Sequence, residues 1–173
     1  MLELITGPMM SGKTTELLRR LERHQIAGAD VCLFRPASDS RDKLTHTARE
    51  HNIRVVATDE AKLSDEAQRF DVVGIDEVQF FPPSTASFLN ESANARHVIV
   101  SGINATSELG PWDTVQALIP FCDDITYMHA VCVRCGNQYA SKSYFAAGDK
   151  HEQVIVGGAD KYVALCRNCY YTG

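Results

Sequence analysis

Gly7-Pro8-Met9-Met10-Ser11-Gly12-Lys13-Thr14 satisfies G-x-x-x-x-G-K-[ST] in full. Ahead of it, Leu2-Glu3-Leu4-Ile5 is a short apolar run suited to a buried strand, and behind it Leu17, Leu18 and Leu21 fall at helical spacing. Strand, loop and helix in that order make a phosphate-binding turn. Gly7 and Gly12 let backbone N–H groups face inward around a phosphate, the helix start adds partial positive charge, and Lys13 reaches the outer phosphates. The Thr14 hydroxyl is left to hold magnesium. A glycine turn with a chance lysine would explain the loop but not both flanks.

The composition sets the bounds. A chain of 173 residues can build one good core and a small appended module. With 17 basic and 22 acidic residues the net charge is −5, so no global positive field recruits nucleic acid. No apolar run approaches the roughly 18 residues of a membrane span, and no leader pattern precedes the loop. A soluble, cytoplasmic protein with neither a membrane nor a nucleic-acid partner is expected.

Along the chain, Gly28 closes the first helix and Val31 to Phe34 forms a second strand; Arg19, Arg20, Glu22, Arg23 and His24 read as a solvated helix face. Arg35 to Lys43 is a polar loop in which Arg41 is placed to fold over a nucleotide, an exposed arginine being the commoner fate. Ile53 to Val56 is a third strand, and Ala61 to Phe70 a helix with Leu63, Ala67 and Phe70 on one side.

Val72-Val73-Gly74-Ile75-Asp76-Glu77 is an apolar strand ending in two acids, the pattern expected beside a phosphate-loop strand in a parallel sheet. Asp76 would orient magnesium, and Glu77, facing the other way along the strand period, would take a proton from an attacking hydroxyl. The bland readings are a helix N-cap for Asp76 and a surface acid for Glu77. Gln79-Phe80-Phe81-Pro82-Pro83 follows, either a stacking platform for a planar base or core and turn. Ser84 to Ser92 reads as a helix capped by Ser84 or Thr85, and Val98 to Ser101 as a strand entering the loop from Gly102 to Thr106. Trp112 is either a lid or a packing anchor.

Cys132-Val133-Arg134-Cys135 and Cys166-Arg167-Asn168-Cys169, 30 residues apart, can present four thiolates to one tetrahedral ion. Cys132, Cys135, Cys166 and Cys169 point to structural zinc, since a redox dithiol needs one pair only. Cys32 and Cys122 read as core residues. Between the pairs, Tyr139 to Phe145 and Gln153 to Val156 have strand character, and Gly157 to Asp160 makes a loop.

Together these motifs resemble the type II thymidine kinases of cells and large DNA viruses. The resemblance is carried by the segments from Gly7, from Ile75 to Pro82, Ala130-Val131-Cys132, and from Gly157 to Tyr162 leading to Cys166-Arg167-Asn168-Cys169-Tyr170. It implies an α/β, P-loop NTPase-like fold with a mostly parallel sheet flanked by helices over residues 1–130, and a zinc-binding lasso domain over residues 131–173 covering the nucleoside. It further implies transfer of the ATP γ-phosphoryl group to the 5′-hydroxyl of thymidine, with deoxyuridine a second substrate, and a homotetramer. By position, Glu77 matches the general base. Gly7, Pro8, Met9, Met10, Ser11, Gly12, Lys13, Thr14, Asp39, Ser40, Arg41, Asp76, Glu77, Val78 and Gln79 match the ATP-binding set, with Thr14 and Asp76 at magnesium. Met9, Phe80, Ser107, Trp112, Gln153, Val154, Ile155, Val156, Gly157 and Tyr162 match the nucleoside-binding set.

Four positions depart from the family pattern. Ser107 replaces an aromatic, Val78 a small residue, Trp112 a phenylalanine, and Ser143 an arginine. A remodelled base pocket is expected above intact phosphate machinery. The alternatives are a weakened pseudokinase that keeps ATP binding, or an ATPase carrying a nucleic-acid-binding zinc ribbon. Against the latter, Arg134, Lys142, Lys150, Lys161 and Arg167 are scattered and balanced by Asp149, Glu152 and Asp160.

Overall fold

A computed structural model describes residues 1–38, 52–146 and 161–172. The expected elements form: β1 (Leu2–Gly7), α1 (Lys13–Ile26), β2 (Val31–Pro36), β3 (Arg54–Thr58), α2 (Glu60–Ala67), β4 (Val72–Ile75), α3 (Thr85–Ser92) and β5 (His97–Ile103). The elements α4 (Asp113–Leu118), β6 (Asp124–Tyr127) and α5 (Arg167–Thr172) went unread in the sequence, as did the second strand of the cysteine region. The cysteine region also holds β7 (Lys142–Phe145) and β8 (Tyr162–Leu165).

The six-stranded sheet has the order β3-β2-β4-β5-β1-β6, and every pairing in it is parallel. This corrects one expectation. β4 does not lie beside β1, because β5 runs between them.

Alternation along the strands divides the core in two. Leu2, Leu4, Cys32, Phe34, Val73, Ile75, Val98 and Val100 face α2, α3 and α4, meeting Leu63, Ala67, Ala86, Leu89, Val115 and Leu118. Ile5, Val31, Leu33, Val72 and Ile99 face the other way, onto Leu17, Leu18 and Leu21 of α1. Both faces are therefore covered, which is why these strands read as near-continuous apolar runs.

Several local readings change. β2 continues through Arg35 and Pro36, paired with Ala57 and Thr58, so the polar loop starts later than its composition suggests. The outer face of α1 is not uniformly solvated: Arg20 bridges Glu3 and Glu16 and donates to Thr126 Oγ1 at 2.8 Å. His97 Nε2 lies 2.6 Å from the same Glu3, and the His24 ring meets the His97 ring edge-on at 4.6 Å. Ser84 precedes α3 but makes no capping bond; its hydroxyl donates to Glu60 instead. Cys32 is buried and Cys122 packs at the core edge, and burial raises their thiols to about 12 and about 11.

The cysteine region has its own small core of Ala130, Cys132, Ala140, Ala164, Leu165 and Cys166. β7 and β8 pair antiparallel, Lys142 with Leu165 through Phe145 with Tyr162. Strand structure begins later than expected, since Ala140 joins Ala130 only through an isolated bridge and Tyr139 stands exposed.

Candidate active site

The loop after β1 takes the shape its glycines predict. Gly7 has φ 153°, and a Cβ there would stand 2.3 Å from the Met128 carbonyl oxygen, so no other residue fits without moving backbone. Met10 and Gly12 are left-handed, at φ 62° and 83°, and α1 begins directly after Gly12. Ser11 Oγ donates to the Pro8 carbonyl at 2.8 Å, and the buried Lys13 Nζ donates to the same oxygen at 2.7 Å. The lysine thus lies folded across the loop whose phosphates it is expected to meet.

Asp76 follows the last residue of β4, with its N–H donating to the Phe34 carbonyl at 2.9 Å. Its buried carboxylate accepts from Thr14 Oγ1 at 3.0 and 3.2 Å and from Ser101 Oγ. Because β5 separates β4 from β1, Ser101 stands on the intervening strand. Its buried hydroxyl holds the acid from that side. The sequence hinted at Ser101 only through a polar residue closing the apolar run Val98-Ile99-Val100.

Glu77 also departs from the reading made of it. It lies outside the strand, at φ 53° and ψ 45°, so a left-handed turn rather than strand alternation sets its direction. A 3₁₀ turn over Val78–Phe80 follows, and the buried Gln79 donates its Nε2 to the Glu77 carboxylate. Val78 is buried in the main core, which leaves its backbone alone for ligand contact.

Phe80 and Trp112 meet edge-on, ring centroids 5.8 Å apart. Trp112 packs against the main core and is an anchor, while its indole N–H is buried with no acceptor among the described residues. Phe81 turns inward and is buried. Ser107 lends its carbonyl to the Tyr170 hydroxyl at 2.6 Å, tying the loop after β5 to α5. Met9 gives its N–H to Ser143 Oγ at 3.0 Å, and Tyr162 meets Phe145 ring to ring at 5.2 Å on the β7–β8 hairpin.

The Sγ atoms of Cys132, Cys135, Cys166 and Cys169 lie within 4.8 Å of one another, with Cys135 and Cys166 3.7 Å apart. Sulfurs about 2.3 Å from a tetrahedral zinc stand roughly 3.8 Å from each other, so the four residues fit that ion. Backbone N–H groups, that of Cys166 foremost, draw the Cys132 thiol down to about 6, which favours the thiolate a metal requires. The neighbouring Cys135 thiol foremost pushes Cys169 up to about 12. Positive charge at the centre would favour the thiolate form of all four.

A family model described as thymidine kinase matches residues 1–170. The chain belongs to the thymidine kinase family. It is 35% identical to the thymidine kinase of Pyrobaculum aerophilum, over 98% of each chain. It is 38% identical to that of Rabbit fibroma virus, over 98% of this chain and 96% of the relative. Similarity to the cytosolic thymidine kinase of Bos taurus is 34%, over 98% of this chain and 71% of the relative.

Of the family-matched positions, Asp39, Ser40, Arg41, Gln153, Val154, Ile155, Val156 and Gly157 lie outside the described residues. The structure brings the others into two groups. Gly7 to Thr14, Asp76, Glu77 and Gln79 gather at the carboxyl ends of β1, β4 and β5, where open α/β sheets collect ligands. Phe80 follows Gln79 and meets Trp112, Ser107 is tied to Tyr170 of the cysteine region, and Tyr162 lies within that region against Phe145. Ser101 and Asn104, neither read as a site residue in the sequence, join the first group. Asn104 donates its backbone N–H to the Gly7 carbonyl at 3.2 Å and its Nδ2 to the Tyr127 hydroxyl at 3.0 Å.

Proposed function

We propose that this chain is an ATP-dependent thymidine kinase that makes thymidine 5′-monophosphate, with deoxyuridine a second acceptor. The observation that carries the reading is the contact of Thr14 in the phosphate loop with Asp76, with Glu77 the next residue along. Family membership supports the nucleoside, and the G-x-x-x-x-G-K-[ST] loop supports a nucleoside triphosphate as donor.

In this reading the backbone of Gly7 to Thr14 cradles the ATP phosphates. Lys13 leaves the Pro8 carbonyl for the β- and γ-phosphates. Thr14 and Asp76 are the residues that would hold magnesium, whose chemistry is to neutralise charge on the phosphoryl oxygens. The Glu77 carboxylate takes the proton of the 5′-hydroxyl as that oxygen bonds to the γ-phosphorus, and the bond to the bridging oxygen breaks to release ADP. Arg41 supplies further positive charge. Phe80 and Trp112 face the base, and the lasso of residues 131–173, pinned by zinc on four cysteines, covers it. The homotetramer implied by resemblance, and a cytoplasmic location like that in the name of the Bos taurus relative, complete the proposal.

A panel of nucleosides assayed at fixed MgATP tests it. Thymidine should be the best acceptor and Glu77→Gln should abolish turnover while ATP affinity is kept. Protein that binds ATP yet phosphorylates no pyrimidine deoxynucleoside would instead be a pseudokinase.

A further inference from the structure

We infer that Gln79 is a positioning residue that fixes the Glu77 carboxylate relative to the phosphate loop. The inference rests on the reading of Glu77 as general base. Gln79 has both ends of its amide engaged while buried. Its Oε1 accepts the backbone N–H of Ile103 at 3.1 Å. That N–H can only donate, so the carbonyl end must face Ile103 and the NH₂ end must face the Glu77 carboxylate. The orientation of the amide is therefore dictated by a strand, not by solvent.

The far end of this link matters as much as the near one. Ile103 is the last residue of β5 and stands in register with Gly7, the last of β1 and the first of the phosphate loop. Glu77 is thus coupled, through one amide, to the strand position from which the loop departs. Gly102 makes room for the coupling, because a Cβ there would lie 3.1 Å from Gln79 Oε1 and 2.8 Å from Val78 Cγ1. The 3₁₀ turn supplies the reach: Phe80 N donates to the Glu77 carbonyl at 3.1 Å, folding residue 79 back over residue 77.

A carboxylate on a flexible side chain loses rate steeply when it is displaced by about 1 Å, on the order of 100-fold. An amide held in a strand removes that freedom. A residue that merely contacts ATP would be felt in nucleotide affinity; one that aims the base is felt in kcat alone.

The test is Gln79→Met, which keeps length and burial but loses both bonds, with kcat, KM for thymidine and Kd for ATP measured together. The expected result is a fall in kcat of about 10- to 100-fold, with KM and Kd within about threefold of wild type. Combined with Glu77→Ala, the same change should lower the residual kcat less than twofold, since the group being aimed is already gone. Should Gln79→Met not fold, Gln79→Glu keeps an acceptor for Ile103 and is judged by the same constants. Equal losses in both backgrounds, or a Kd for ATP that moves as far as kcat, overturn the inference. If Glu77→Ala alone is fully active, the base assignment fails; if it is dead while Gln79→Met runs at the wild-type rate, only the positioning role fails.

Discussion

The backbone N–H of Met9, in the phosphate loop, donates to the hydroxyl of Ser143, in the β7–β8 hairpin, at 3.0 Å. Ser143 is buried, so this bond is sheltered from competition with water. The hairpin whose two strands lie between the cysteine pairs in the chain is therefore joined directly to the loop expected to bind ATP. The resemblance places an arginine at this position, and a short hydroxyl serves here as a backbone acceptor.

Ser143→Ala should weaken ATP binding by about fivefold, the equivalent of roughly 1 kcal/mol for one sheltered hydrogen bond. Ser143→Thr keeps the hydroxyl and should restore most of it. Titration with a fluorescent ATP analogue measures both, and an alanine variant within twofold of wild type would show that the loop does not depend on this contact.

Purified chain should contain one zinc ion, counted by elemental analysis. Chelation should melt the β7–β8 hairpin, whose small core includes Cys132 and Cys166, while the parallel sheet stays folded. Because Met9 and Ser143 are joined, ATP affinity should fall with the nucleoside affinity, only less. Fewer than about 0.2 zinc ions per chain would rule out the structural metal.

Glu16 gives a pH dependence with a definite sign. Its carboxyl is lowered from 4.5 to about 2, first by the hydrogen bond from Arg19, with Arg20 adding to it. A depressed folded value means that its stabilisation is complete above about 4.5 and is lost as pH falls toward about 2. Screening by solvent limits the contribution to about 1 kcal/mol. The stability difference between wild type and Glu16→Gln, from urea melts at pH 6 and pH 3, should shrink at the lower pH; a constant difference contradicts the ion pair.

Trp112→Phe should leave stability almost unchanged. The indole N–H is buried without an acceptor among the described residues, and removing it recovers about 1 kcal/mol. The smaller ring forfeits a similar amount, about 1 kcal/mol, of apolar burial. Phenylalanine also keeps a ring to meet Phe80. A loss above about 2 kcal/mol in a denaturant melt would mean that the N–H is satisfied.

Much of the fold was legible because each main strand is covered on both faces and so reads as an apolar run, as from Val72 to Ile75 and from Val98 to Val100. β6 was missed because its residues are mostly exposed and, among the described residues, β1 alone pairs with it. α5 and β8 were missed because their packing is against a cysteine core that no periodicity signals. Glu77 was singled out by residue type, but its direction was misjudged, since the strand ends at Ile75, two residues earlier than expected, and the chain turns left-handed at Glu77.

Local chemistry determined what kind of ligand each segment is suited to. Glycines and a lysine at fixed spacing between a strand and a helix mark a candidate phosphate loop, and paired cysteines mark a candidate metal site, because both depend on short-range geometry. Only the tertiary structure decided which groups meet. Placing β5 between β4 and β1 put Ser101 against Asp76 and Ile103 against Gln79, and docking the hairpin put Ser143 under Met9. Those contacts depend on strand order and on packing between residues far apart in the chain, and no local pattern of side chains encodes them.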